Sequence, residues 1–399
     1  MSDALSLPPR PNLEQYKKLA GDPQSACESS NPDAVRAWAA SWVEEVAVLQ
    51  GREITPQIRS EIDREVAGIN QRWLSVKKID PQLFIAREHG FASWPQFSDH
   101  IEALSRANST VSNFEAAADA IVGGDTAALK KLLDDDPALV RARSTREHRS
   151  TLLHYISANG TEDFRQKTPE NIVGIANMLL ASGADVNAES DAYGGGSTTL
   201  GLVATSVHPE RAGVQIALLE VLISHGAEID QPSAAGNGHS IIQGCLANGQ
   251  PKAAEFFANL GVELDLEGAA GLGRLDLVKS YFDENGILRN PATKLQMESG
   301  FLYACGYGRQ EVVAFLLQKG ADSNLRNAAG QTGLHRTAYG AHVEIIKLLL
   351  QYGFPLDVKD NHFNATPLDV ALYTRNNSPD AAKRKRCDEV IALLARGTN

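Results

Sequence analysis

The feature that most constrains this chain is recurrence: the stretch 327–356, NAAGQTGLHRTAYGAHVEIIKLLLQYGFPL, has counterparts placed roughly 33 residues apart along the sequence. A period of that length marks a supersecondary unit that cannot hide its own apolar face, so the units must stack. Within the stretch Gly330 supplies a turn and Thr332 is placed to cap a helix, while Leu334, Ala338 and His342 mark out a short inner helix. A second helix is predicted over 343–351, where Val343, Ile345, Ile346, Leu348, Leu349 and Leu350 cover more than half the circumference. Such a helix needs neighbours on both sides. Gly353 is a left-handed stop, and Pro355 and Asp357 turn the chain back.

These residues resemble the ankyrin repeat, whose pattern T-P-L-H-x-A-A-x-x-G-H precedes an apolar helix and a G-A-D exit turn. Thr366-Pro367-Leu368 keeps the start, with Pro367 in the first helical turn, where its missing N–H is not needed. Thr151-Leu152-Leu153-His154 keeps the Leu-His, and Gly183-Ala184-Asp185, Gly226-Ala227-Glu228 and Gly320-Ala321-Asp322 repeat the exit. The resemblance implies helix pairs joined by hairpins, with the concave side of the inner helices and the hairpin tips left free for a macromolecule, in the first place a protein. It also implies that His154 and His335 tie adjacent turns by hydrogen bonds instead of serving catalysis or a metal. The segments 7–15 and 85–95 resemble the leader that precedes ankyrin repeats in many bacterial proteins.

A chain of 399 residues exceeds one ordinary core, and the repeats decide for an array over several compact domains. The net charge of −11 argues against a general nucleic-acid binder, since phosphate neutralisation needs a basic field. No apolar run is long enough to span a membrane, and the N-terminus shows no basic-then-apolar signal pattern, so a cytoplasmic location is expected. Cys27, Cys245, Cys305 and Cys387 are scattered, which speaks against disulfides and zinc; Cys245 and Cys305 read as buried, inert thiols. No cofactor motif is complete. The glycine run Gly194-Gly195-Gly196 lacks the lysine of a phosphate loop and falls where a hairpin between units belongs.

The expected architecture is all-α: an N-terminal helical cap over 1–108, then an ankyrin-like solenoid over 109–399 of about eight helix-turn-helix units. The cap is read as helices through Leu13–Leu19, from Asn31-Pro32, from Thr55-Pro56, through Gln82–Glu88 and through Trp94–Leu104. Trp38, Trp42, Ile62, Trp73 and Phe91 give it more apolar surface than so small a bundle is expected to hide, hence a role covering the first repeat. Insertions at Glu162–Pro169, His208–Gly213 and Arg375–Arg386 are expected in surface loops, with the last helix running from Cys387 to Ala395. The sixth unit is set at Ser299–Asn324, and the glycine-rich fifth, with Gly268, Gly271 and Gly273, is expected to be the weakest.

Register points to a binding surface. Aligning Phe301, Leu334 and Leu368 puts Tyr303 above Arg336, and Gly306 above Tyr339 and Tyr373, with Tyr307 beside them. Tyrosine and arginine are frequent binding anchors, so these residues, with Tyr155 and the hairpin-tip residues Asn327 and His362, are the candidate contacts for a protein partner. The competing function is an enzyme or small-molecule receptor with a pocket between the N-terminal helices and the concave face. No catalytic constellation is readable for it, and the sequence implies neither cofactor nor metal.

Overall fold

A computed structural model describes residues 5–8, 11–21, 32–49, 53, 55–75, 80–106, 108–229 and 240–396, and divides into two units, Met1–Gly238 and His239–Asn399. Cys27 and Asn31, both used in the sequence reading, lie outside the described residues. No helix among the described residues is long and apolar enough to cross a membrane.

The first unit opens with helices Leu13–Gly21, Pro32–Leu49, Pro56–Ser75, Pro81–Glu88 and Trp94–Leu104. Proline at the first turn and a capping side chain before it start two of them: Asp80 accepts from Gln82 N–H at 2.8 Å, and Ser93 caps Trp94–Leu104. The expectation that the large apolar side chains exceed what the bundle can hide is corrected. The two long helices bring Trp38 to 5.2 Å from Trp73 and 5.4 Å from Trp42, ring to ring, and Trp73 to 4.7 Å from Phe84, so the rings bury one another. The bundle meets the repeats through the turn after the first one. Glu147 N–H donates to Gly90 O at 2.9 Å, His100 Nδ1 lies 2.7 Å from Thr145 Oγ1, and the Arg146 guanidinium stands 5.5 Å over the Phe91 ring.

Three repeats follow in this unit. Thr110–Gly123 pairs with Thr126–Asp135, a 3-10 turn over Leu152–Ser157 pairs with Ile172–Ala181, and Thr199–Thr205 pairs with Gln215–Ser224. The triple glycine is a hairpin tip as expected: Glu189–Ser190 pairs antiparallel with Ser197–Thr198, and Gly194, Gly195 and Gly196 all have positive φ. The insertion after the second inner turn is not a surface loop. Glu162 and Arg165 turn inward and are buried, because opposite charges on the first repeat await them.

In the second unit five helix pairs succeed one another: Ile241–Ala247 with Pro251–Asn259, Leu266–Leu272 with Leu275–Ser280, Lys294–Gly306 with Gln310–Gln318, Gly333–Gly340 with Val343–Gln351, and Pro367–Asn377 with Ala381–Arg396. Leu266, Phe301, Leu316, Leu334, Ile346, Leu349, Val390 and Leu394 belong to one continuous core. Each such side chain contributes about 1.5–3 kcal/mol on burial.

Two boundaries differ from the sequence reading. The sixth inner helix starts at Lys294, not near Ser299, because Thr293 and Gln296 form a capping box one and a half turns upstream. The last helix starts at Ala381, so the basic run 383–386 is helical and not part of a loop. Glycine in the fifth and sixth inner helices serves contact. A Cβ on Gly300 would lie 2.9 Å from Ala270 Cβ, and one on Gly271 would lie 2.6 Å from Leu246 Cδ1.

Candidate functional site

In several repeats the position three residues into the inner element closes a capping box, filled by different chemistry from repeat to repeat. His154 Nδ1 accepts from Thr151 N–H at 3.1 Å, which leaves the ring proton on Nε2 to meet Ser197 O at 3.2 Å in the next repeat. His335 repeats this with Thr332 N–H at 3.1 Å and Ala365 O at 3.0 Å. Gln243 accepts from Ser240 N–H at 3.2 Å, and the Asp369 carboxylate from Thr366 N–H at 2.8 Å. Burial holds the His154 imidazole down at about 4 and lowers that of His335 as well, so both are neutral struts near pH 7.

A dense set of titratable side chains lies inside the first unit. Glu115 receives Arg146 at 2.6 Å and Arg165 at 2.8 Å, and Arg165 also reaches Asp119 at 2.8 Å. Glu162 receives Arg146 at 2.9 Å and Arg165 at 3.3 Å, with Tyr155 O–H at 3.4 Å. Burial pushes the Glu115 carboxyl up, but Arg146 and Arg165 outweigh it and hold it at about 2. Glu162 is likewise held well below the carboxylate range against burial, chiefly by Arg146. Every charge here is matched by another. The cluster therefore locks the insertion onto the first repeat. Tyr155, one of the candidate contacts, is fully buried in this cluster and packs at 6.1 Å from the Phe114 ring.

The other candidates are in the second unit, and the structure sorts them. Tyr339 and Tyr373 are 59% and 63% exposed and occupy equivalent places on the neighbouring inner helices Gly333–Gly340 and Pro367–Asn377. Tyr303 and Tyr307 are only partly exposed, their rings stacked at 6.3 Å, and Tyr307 O–H donates to Leu246 O. Gly271 makes this possible, because a side chain there would occupy the space between Leu246 and Tyr303. Burial, aided by the Glu267 carboxylate, pushes the Tyr303 phenol up to about 12. Arg336 lies across Gly306, where a Cβ would come within 3.2 Å of its Nε.

At the hairpins, Asn327 is occupied within its own turn, accepting from Gln331 N–H at 2.9 Å, whereas His362 is exposed. The Asp360 carboxylate accepts from Phe363 N–H at 2.7 Å and His362 N–H at 3.1 Å, and these bonds hold its pKa down and the tip in shape. Phe363, 84% exposed at that tip, was not among the sequence candidates; a lone aromatic in a loop gives no periodic signal.

Lys383 was also missed. Its Nζ stands 5.0 Å from the Tyr339 ring centroid, and its position one helical turn before the buried Cys387 was the available signal. Cys245 and Cys305 are buried, and that burial pushes both thiols up to about 12, which leaves them unreactive.

Residues 301–384 match the family description "Ankyrin repeats (3 copies)". The ankyrin repeat protein FPV031 of fowlpox virus is 40% identical over 68 residues, 16% of this chain and 20% of that protein. Inversin of Danio rerio is 30% identical over 101 residues, 25% of this chain and 9% of its own length. The ankyrin repeat protein R664 of Acanthamoeba polyphaga mimivirus is 33% identical over 97 residues, 21% of this chain and 60% of its own. The chain thus spans a fifth or less of the length of the first two relatives. The human ASB11 ankyrin repeat domain aligns over 69% of this chain and 96% of its own, at 22% identity and a TM-score of 0.33. Ankyrin repeats are in general protein–protein interaction modules. Capping boxes and paired helices agree with the match, and residues 301–384 are ankyrin repeats.

Proposed function

We propose that this chain is a protein-binding module whose partner docks on the inner-helix face of the last repeats, with Arg336, Tyr339 and Tyr373 as its main contacts and the tip around His362 at its edge. One observation carries the reading: Tyr339 and Tyr373 stand in matching register with most of each ring in water. Inner helices packed roughly 8–10 Å apart put two such rings side by side, so one partner segment can cover both. Large rings with polar tips lose little conformational entropy on binding and bury much area, which is why they anchor interfaces. Tyr303 and Tyr307, half-buried, make the floor of the same strip, and Asn327 shapes the adjoining hairpin.

The test is capture from an extract of the source organism with the full chain and with a Tyr339→Ala/Tyr373→Ala variant, followed by titration of the purified captured protein. The expected result is a specific protein whose affinity falls tenfold or more in the variant, about 1.4 kcal/mol, with an unchanged melting temperature. A partner bound equally by both forms refutes the assignment.

A further inference from the structure

Charge is unevenly placed along the chain. Residues 239–399 carry 17 Lys and Arg against 17 Asp and Glu, so the whole net charge of −11 lies in residues 1–238. Within the neutral second unit, four cations, Lys383, Arg336, Arg309 and Arg386, gather around the His342 ring near the exposed Tyr339. Lys383 caps the Tyr339 ring at 5.0 Å, and Arg336 lies across Gly306. Arg309 belongs to the preceding repeat and donates its Nε–H to Gly271 O at 3.0 Å, one repeat further back. His342 marks the centre, with Nε2 meeting Gly306 O at 3.0 Å; burial first, then the charges of Lys383, Arg386 and Arg309, lower its pKa. Among the described residues Lys383, Arg336, Arg309 and Arg386 form no ion pair, whereas nearby Arg375 is taken by Asp388 and Lys347 by Glu344. Asp380, three residues before Lys383, faces Arg384 and Arg386 and accepts from Ala382 N–H at 2.8 Å.

We propose that the segment seated on this face is an acidic stretch of polypeptide. Its carboxylates meet Arg336, Lys383 and Arg386 while its apolar side chains lie on Tyr339 and Tyr373. The inference rests on the docking reading above and adds the chemistry of the partner. Unpaired cations around aromatic faces are complementary to carboxylates interleaved with apolar groups, and such pairing sets specificity and association rate. Three inner helices roughly 8–10 Å apart give a strip roughly 20 Å long, the reach of about six extended residues. A nucleic acid, charged at every residue, needs a basic field that continues beyond one strip, and the unit around the strip is neutral.

The experiment pans a random 12-residue peptide display library on the full chain and measures the selected peptides, fluorescently labelled, against Lys383→Glu/Arg386→Glu and Tyr339→Ala/Tyr373→Ala variants. All the altered side chains are at least partly exposed, and thermal melts check that each variant is folded. The expected outcome is enrichment of Asp and Glu beside apolar residues, with affinity lowered at least tenfold by the charge reversal and falling as salt rises. Enrichment of neutral or basic peptides that still depend on Tyr339 and Tyr373 overturns the acidic partner and leaves the docking face standing. Peptides indifferent to both tyrosines overturn the docking face itself. Tighter binding of a twelve-nucleotide oligo(dT) than of the best acidic peptide overturns the choice of a polypeptide.

Discussion

Glu115→Gln tests the buried ion network. At neutral pH the carboxylate is held by Arg146 at 2.6 Å and Arg165 at 2.8 Å, and its pKa is held at about 2 against an ordinary value near 4.5. That difference corresponds to about 3 kcal/mol of stability, in line with the roughly 3–5 kcal/mol lost when one member of a buried pair is removed. The sign follows from a depressed carboxyl: the stabilisation is complete above pH 4.5 and is lost as pH falls through 2, where the folded state must take up the proton. Protonated glutamate resembles glutamine, so the gap between wild type and variant should be about 3 kcal/mol at pH 7 and close towards pH 2. Urea unfolding measures it, because all four tryptophans, Trp38, Trp42, Trp73 and Trp94, lie in the N-terminal helices that Arg146 touches. An exposed pair is the control: Glu344→Gln, which releases Lys347, should cost less than about 1 kcal/mol. A cost below about 1 kcal/mol for Glu115→Gln as well, with parallel pH profiles, would refute the idea that the network locks the insertion.

Three further outcomes follow from the packing. Gly300→Ala should destabilise the second unit by about 1–3 kcal/mol, read by chemical denaturation, since its Cβ would press on Ala270; an unchanged midpoint would mean that the helices separate freely. His154→Gln should remove a loss of stability that the wild type shows as pH falls from 6.5 towards 4, because the unfolded chain takes up a proton there while the buried ring stays neutral; identical profiles in melts at stepped pH would rule this out. A chain beginning at Ser109 loses the contacts of Gly90, Phe91 and His100 with the turn 145–147, so its melting temperature should drop by several degrees, and an equal melting temperature would show the N-terminal helices to be independent.

What the sequence revealed and what it hid have physical causes. The repeats were legible because each capping box sits within four residues, as in Thr332 to His335, and because the outer helix is apolar at fixed phase. The ion network was not, because Glu115 lies 31 residues from Arg146 and 50 from Arg165, and no local pattern links them. A polar insertion and a buried lock have the same composition. The tyrosine strip was half legible: register alone places Tyr307 and Tyr339 on one surface, but the missing side chain at Gly271 lets Tyr307 sink to Leu246 while Tyr339 stays in water. The basic run at 383–386 read as a loop because charge masked the helix that Cys387, Val390 and Leu394 continue.

The docking face is tested most directly by photocrosslinking in an extract of the source organism. p-Benzoylphenylalanine is placed either at position 373 in the full chain or at position 352, where Tyr352 is 47% exposed just after the outer helix. A partner on the inner-helix face predicts one dominant adduct from position 373, competed by the acidic peptide and absent from position 352. The same adduct from position 352, with none from position 373, would contradict the account.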